Sequence, residues 1–353
     1  MQMELREFIS TLEKYGYLRK ISHPVNWKYE IGEIVRQNHT QPLLFENIAD
    51  YPGCRLFTGG FSRIDYLGIN LGLKMPVNRK SLLAHLRKGL EKPIESVYVQ
   101  CCPDCLYKAA DEVNLHDLPV PWWNPLDGGR YIGTWHLNIT KDPFTGKRNA
   151  GVYRMQILGK NQTTVSASEK SHLAMHMKNA ERLGKDLEMA MAIGVDEVLV
   201  LAAASSVPFG YDEFSFAGAL RGEGVKLRQC KEIALEVPLE AEYVIEGKLK
   251  CRTRVKDGPY LDYAGKPAIN PAAYLFEVRS ISSRVDAIFR GMAVGRVGAE
   301  DHQLFSILSA LNLVDFHGSA LRQRVQNFFL RYRMFSLFQL SGRFSAMVKS
   351  LKR

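Results

Sequence analysis

Two β-prone runs, Thr134 to Thr140 and Gly151 to Leu158, flank Lys141-Asp142-Pro143-Phe144-Thr145-Gly146. Asp, Pro and Gly at that spacing are turn chemistry, so the two runs are predicted to fold back on each other as a hairpin. Further strands are predicted over Glu197 to Ala202 and Ala241 to Cys251. In the latter, Tyr243 and Ile245 alternate with Glu242, Val244 and Glu246, the period of a strand. One prominent helix interrupts them, from about Ser168 to Leu183, with Ser166 or Ser168 available as N-cap. Residues from about 110 to 300 therefore read mainly as strands.

The flanks read differently. Leu5, Phe8, Ile9 and Leu12 repeat at helical spacing, Leu43-Leu44-Phe45 is a short apolar run bounded by turn residues, and Ser81-Leu82-Leu83 opens a helix reaching Leu90. The chain of 353 residues carries a net charge of +10, and eight of those charges lie after Asp315 with no acid among them. The preceding residues are close to neutral, which is not the balance of a nucleic-acid binder. The basic stretch from Leu321 to Arg353 interleaves Phe328, Phe329, Tyr332, Phe335 and Phe338. It reads either as an amphipathic helix on an anionic membrane or as an aromatic face packed on the body or on a second subunit. There is no apolar run of about 18 residues and no apolar segment after Met1, so neither a spanning helix nor a secretory signal is expected, and a cytoplasmic protein is. Cys101-Cys102-Pro103-Asp104-Cys105 is half of a zinc pattern at most, and the other cysteines are scattered, so reduced thiols are expected.

No dinucleotide fingerprint, Walker loop or nucleophile elbow is present. The candidate functional residues are instead polar groups within apolar stretches. Asn149 and Arg154 straddle a predicted strand start and would face opposite ways in an ideal strand, unless Asn149 is still in the turn or Gly151 marks a bulge. His172 and His176 have the i, i+4 spacing that can hold a metal, or that leaves one packed and one solvated. Glu213 follows Asp212 at the head of an apolar segment, as a helix-start residue or a ligand. Asp257-Gly258-Pro259-Tyr260-Leu261-Asp262 puts two carboxylates across a tight turn, and Asp127-Gly128-Gly129-Arg130 reads as a plain turn.

Several of these blocks, in order, resemble the UbiD family of reversible decarboxylases. They are Leu5 to Ile9, Leu43 to Asn47, Asp127 to Arg130, Asp142 to Gly146 and Asn149 to Gln156. Asp212-Glu213 with Phe216 to Gly222, Val237-Pro238, Ala241 to Gly247, Gly295-Arg296 and Glu300-Asp301 continue the series. The resemblance implies an α+β fold: an N-terminal α/β domain over 1–108, a split β-barrel like that of flavin reductases over 109–302, and a helical tail over 303–353 in place of the family's C-terminal domain. It implies prenylated FMN as cofactor, with a divalent metal, usually manganese, bridging its phosphate, and a nearby potassium. The metal ligands fall on Asn149, His172 and Glu213, and the cofactor-binding residues on Val152, Tyr153, Arg154, Ser171, His172 and Glu213.

Its catalytic set falls on Arg154, Asp257 and Asp262, where Arg154 would hold the substrate carboxylate, Asp257 would position Arg154, and Asp262 would protonate the product. The family's Glu is shortened to Asp257, its second motif glycine is Leu261, and a His-Arg pair reads Ser283-Arg284. The implied activity is non-oxidative, reversible decarboxylation of an aromatic or α,β-unsaturated acid, of 4-hydroxybenzoate type or lipid-linked. The alternative is a non-catalytic accessory subunit. The implied partners are the acid substrate, a flavin prenyltransferase that supplies the cofactor and a second copy of the chain, with peripheral membrane contact only through the tail.

Overall fold

The computed structural model describes residues 3–100, 105–295 and 298–315. The chain divides into two compact units, Met1–Leu308 and Ser309–Arg353, and the fold described here is that of the first. The basic aromatic stretch from Leu321 to Arg353, the Cys101-Cys102 pair and Arg296 lie outside the described residues.

The hairpin predicted around Asp142 is present. Strand His136–Lys141 runs antiparallel to Arg148–Gly151, in register from Asn138 opposite Gly151 to Lys141 opposite Arg148. Asp142 closes the turn, its Oδ1 accepting from the amides of Phe144 (2.8 Å) and Thr145 (3.0 Å). A second hairpin is far longer than the sequence indicates. Tyr243–Leu261 and Pro267–Arg284 pair antiparallel along most of their 19 and 18 residues.

Around this long hairpin a nine-stranded sheet assembles, and every pairing in it is antiparallel. From one edge to the other its strands are Tyr131–Gly133, Met155–Gly159, Gln162–Val165, Pro267–Arg284, Tyr243–Leu261, Leu187–Ile193, His136–Lys141 and Arg148–Gly151. Cys105–Ala109 pairs off this path with Pro267–Arg284. The order has a physical consequence. Arg148–Gly151 is an edge strand, Met155–Gly159 is six strands away, yet only Val152, Tyr153 and Arg154 connect them. Six strand spacings in a flat sheet would be about 29 Å. The four peptide steps from Gly151 to Met155 reach at most about 14 Å. The sheet must therefore curl, and the three connecting residues strap its two ends together. The result is a mixed α/β fold around a curled half-barrel.

Two expectations need correction. Glu197–Ala203, predicted as a strand, is a helix, capped by Asp196, whose Oδ1 accepts from Val198 N at 3.0 Å. All seven of its residues are buried, so no polar periodicity separates a helix from a strand in this run, and the capping acid decides. The central helix starts four residues later than predicted, at His172. Ser171 is the N-cap, its Oγ accepting from Ala174 N, while Ser168 belongs to the preceding turn as acceptor of Ser171 N. In addition, the predicted strand from Gly151 to Leu158 is two strands broken by the strap.

At the N-terminal end, the helix Leu5–Lys14 buries Leu5, Phe8, Ile9 and Leu12, as its spacing predicts. It covers a four-stranded sheet of Arg19–Ile21, Leu43–Phe45, Arg55–Thr58 and Ile288–Arg290, whose last strand comes from beyond the long hairpin. Arg290 fastens this sheet to the curled one. Fully buried, it donates to Glu197 Oε1 (2.8 Å) and to Glu300, while Glu197 also accepts from Trp135 Nε1 (2.6 Å) and Glu300 from the amides of Gly59 and Phe61 (2.8 Å each). Every partner is needed, because removing one charge of such a cluster strands the others in low dielectric, at a cost of about 3–5 kcal/mol.

Candidate active site at the strap of the half-barrel

The strand His136–Lys141 presents three buried polar side chains, His136, Asn138 and Thr140, at the strand period of two. Each has a specific partner. Asn138 Oδ1 accepts from the strap amide of Tyr153 (3.1 Å) and meets His136 Nε2 at 2.8 Å. Since that oxygen is an acceptor, His136 carries its proton on Nε2. Burial pushes His136 down to about 4, so the ring is neutral at physiological pH. Thr140 Oγ1 meets His176 Nδ1 at 3.0 Å, and burial likewise pushes His176 down to about 4. The row fixes the strap from below and the central helix from the side.

The His172 and His176 pair thus separates. His176 is buried against Thr140, whereas His172, the first residue of the helix, turns its Nδ1 toward Glu213 Oε1 at 3.5 Å. That gap is too wide for a well-formed hydrogen bond. Glu213 in turn opens the helix Glu213–Arg221. Its cap, Asp212, is held in a two-pronged grip by Arg148, with Nε at 3.1 Å and Nη2 at 2.7 Å. Glu213 Oε2 accepts from Ala150 N at 2.9 Å, which places the carboxylate beside Asn149 on the edge strand. Asn149 is buried, and its Nδ2 meets no hydrogen-bond partner. Phe209 packs edge-on against both imidazoles, at 5.4 and 5.6 Å between ring centres. No group of three His, Cys, Asp or Glu side chains suited to a metal occurs among the described residues. The third donor here is a carboxamide, whose oxygen and nitrogen are interchangeable assignments. Amide and carboxylate oxygens with an imidazole are a donor set that suits Mn²⁺ or a similar ion, and the unsatisfied Asn149 amide fits it.

The strap carries the second cluster. A Cβ on Gly151 would lie 2.5 Å from the Tyr153 ring, so only glycine lets Tyr153 fold back over the end of the strand. Tyr153 lies partly buried near Asn149, Ser171 and the backbone of Leu173, and burial raises its phenol above the ordinary value. Next along, Arg154 reaches Asp257 Oδ1 with both Nε and Nη2 at 2.6 Å. The other oxygen of Asp257 accepts from Thr164 Oγ1, also at 2.6 Å, and the residue is 0% exposed. Tyr260 stacks over the guanidinium at 5.2 Å and leans on Tyr131 at 4.4 Å. The carboxylate shortened by one methylene therefore still reaches Arg154.

The acid motif thus divides. Asp257 is a core residue with both oxygens occupied. Asp262 is the turn acid, its Oδ1 accepting from Ala264 N (2.9 Å) and Lys266 N (3.0 Å). The residue that sequence reasoning missed is Asp127. Its Oδ1 accepts from Leu261 N (2.7 Å), inside the acid motif, and Gly128 N donates to Pro259 O (2.6 Å). A Cβ on Gly128 would lie 2.6 Å from Gly258 O. The Asp-Gly-Gly run is thus the clamp of the motif as well as a turn, and its first glycine was the available signal. Gln156 completes the clamp by accepting from Gly258 N at 2.8 Å.

Residues 98–297 match the family model described as the 3-octaprenyl-4-hydroxybenzoate carboxy-lyase Rift-related domain, and residues 9–88 match that of the N-terminal domain of the same carboxy-lyase. An uncharacterized protein of Archaeoglobus fulgidus is 31% identical over 315 residues, covering 84% of this chain and 65% of its own. The chain thus spans just under two thirds of that relative. A Synechocystis protein, also uncharacterized, is 31% identical over 94% of this chain and 70% of its own. Among solved structures, an evolved dimeric form of the UbiD-class enzyme HmfF from Pelotomaculum thermopropionicum, in complex with prFMN, superposes with a TM-score of 0.81 at 26% identity. That match covers 89% of this chain and 72% of the other. Vanillic acid decarboxylase of Sedimentibacter hydroxybenzoicus gives a TM-score of 0.80 at 25% identity, covering 86% of this chain and 67% of the other.

Proposed function

The chain belongs to the UbiD family of carboxy-lyases, and on that footing we propose that it catalyses reversible, non-oxidative decarboxylation of an aromatic or α,β-unsaturated carboxylic acid with prenylated FMN. The observation that carries this reading is the Arg154–Asp257–Thr164 cluster. It is a guanidinium held on one edge, through Nε and Nη2, by a buried carboxylate that Thr164 fixes in turn. Such a group binds a substrate carboxylate in one orientation, because the fork is fixed before the substrate arrives.

Asn149, His172 and Glu213 would hold a divalent ion, manganese by chemical preference, and through it a flavin phosphate. Potassium would sit nearby. Val152, Tyr153 and Ser171 would line the flavin, with the curled sheet serving as a flavin reductase-like split barrel. Bound there, prenylated FMN supplies an electron sink for the bond that loses CO₂. Asp257 keeps Arg154 extended toward the substrate. Phe209 would hold the two imidazole rings in place by its edge-on contacts. The proton that replaces CO₂ needs an acid, and motif spacing offers Asp262, whose carboxylate serves its own turn. Substrate of 4-hydroxybenzoate type or a lipid-linked acid, a homo-oligomer, and a flavin prenyltransferase as supplier of the cofactor complete the reading. No helix among the described residues is long and apolar enough to cross a membrane.

The test is production of the chain together with a flavin prenyltransferase, followed by absorbance, metal analysis and incubation with cinnamate, sorbate and hydroxybenzoates. The expected result is one modified flavin and one divalent ion per chain, with CO₂ release or H/D exchange on at least one acid. Flavin and metal bound without any turnover across the panel would favour the accessory-subunit reading instead.

A further inference from the structure

Position 257 holds the shorter of the two acidic side chains, and the walls on either side of it are fixed. Its own backbone is gripped from three directions. Gly258 N donates to Gln156 Oε1 (2.8 Å), Gly128 N donates to Pro259 O (2.6 Å), and a Cβ on Gly258 would lie 2.6 Å from Ala268 O. Facing it, Thr164 belongs to Gln162–Val165, a strand paired with Met155–Gly159 on one side and Pro267–Arg284 on the other. The Thr164 hydroxyl is set in turn: Oγ1 accepts from Gln156 N at 2.9 Å, and its single proton goes to Asp257 Oδ2 at 2.6 Å. Thr164 and Asp257 are both fully buried. A Glu at 257 would add one C–C bond, about 1.5 Å, to a gap already closed to the short limit of a hydrogen bond.

The hydroxyl also decides how the acid meets the guanidinium. In the common two-pronged pairing each of two Arg nitrogens takes its own carboxylate oxygen. Here Arg154 Nε and Nη2 both lie 2.6 Å from Oδ1, while Oδ2 is committed to Thr164. We propose that Thr164 is a positioning residue of this site: its hydroxyl fixes the length of acid that position 257 accepts, and turns that acid so that one oxygen alone holds Arg154. Its effect on turnover rests on the decarboxylase reading given above; the fit between the two side chains does not. Without the hydroxyl, Asp257 can rotate and offer Arg154 both oxygens. The guanidinium would rotate with it, out of the pose in which it receives the substrate carboxylate.

The test is a set of variants, each produced together with a flavin prenyltransferase. Thr164→Val keeps the shape and loses the hydroxyl. It should bind flavin as wild type does and keep kcat within about threefold, while KM for the acid rises about tenfold. Thr164→Ser, which restores the hydroxyl, should bring KM back to within about threefold of wild type. Asp257→Glu should lower the urea midpoint of the unloaded protein and cut kcat/KM about 100-fold. Adding Thr164→Ala to Asp257→Glu makes room for the longer acid. The double variant should unfold about 0.5 M higher in urea than Asp257→Glu alone and recover at least about tenfold in kcat/KM. A merely structural threonine would give lower midpoints and lower flavin content together, with no split between KM and kcat and no gain in the double variant. That result overturns the proposal, as does an Asp257→Glu protein with the midpoint and turnover of wild type. Wild type that loads flavin but releases CO₂ from no acid overturns the decarboxylase reading instead, and the midpoints still decide whether Thr164 sets the length of the acid.

Discussion

The two clusters at the ends of the strap are built on opposite terms. Around Arg154 every polar atom of Asp257 has a partner at 2.6 Å. Around Asn149 the groups approach one another without closing up: His172 and Glu213 stop at 3.5 Å, and Asn149 Nδ2 has no partner. The first cluster is complete without any ligand and should contribute to folding. The second is completed by something it binds and should contribute little until then. A buried polar group without a partner lowers stability, so a site that keeps one is tuned for binding rather than for folding.

That contrast can be broken most sharply at the second cluster. His172→Ala and Asn149→Ala should each abolish metal and flavin binding together, read by metal analysis and absorbance. The unloaded proteins should nevertheless unfold in denaturant within about 1 kcal/mol of wild type. Asp257→Asn should do the reverse. Flavin should still bind, but decarboxylation should fall by about a thousandfold, and stability should drop by about 3 kcal/mol because Arg154 is left half-buried without its counter-charge. An Asp257→Asn variant as stable as wild type would erase the distinction between the clusters.

The row beneath the strap gives a pH-dependent version. His136 is depressed by burial to about 4, below its ordinary value of 6.5, so the folded state binds fewer protons than the unfolded chain. Its contribution is therefore fully present above about pH 6.5 and lost as pH falls toward 4, by about 3 kcal/mol. His136→Gln, which keeps a donor for Asn138, should flatten that part of the acid-stability curve measured by denaturant midpoint. The smallest effect is expected at Ser171. Ser171→Ala removes the cap of the central helix and should cost about 1 kcal/mol, with flavin affinity weakened only slightly.

Much of the framework was legible in the sequence because it is local. The Leu5 helix follows from its apolar spacing, and the Asp142 hairpin from its turn residues. The Glu197 helix was not legible because a wholly buried run of Val, Leu and Ala carries no amphipathic period, and only the capping Asp196 distinguishes the two readings. The candidate site residues could be named from the sequence, but their pairings could not. His172 and His176 are equivalent by spacing and differ in what meets them, Glu213 from another helix for the first and Thr140 from a strand for the second. Asp257 and Asp262 are equivalent in the motif and differ in depth. Asp127 read only as part of a turn because its partner, Leu261, is 134 residues away, too far for local spacing to show the pairing.

The strap also sets a mechanical limit. Three residues tie the last strand of the curled sheet to the second, Met155–Gly159, and a connection that short has little reach to spare. If the half-barrel widened to admit a bulky ligand, the strap would be drawn taut. Arg154 would then be pulled against its hold on Asp257, while Asn149, at the other end, would be drawn away from Glu213. Any displacement at one cluster would therefore reach the other along a single stretch of backbone, without a side chain having to relay it.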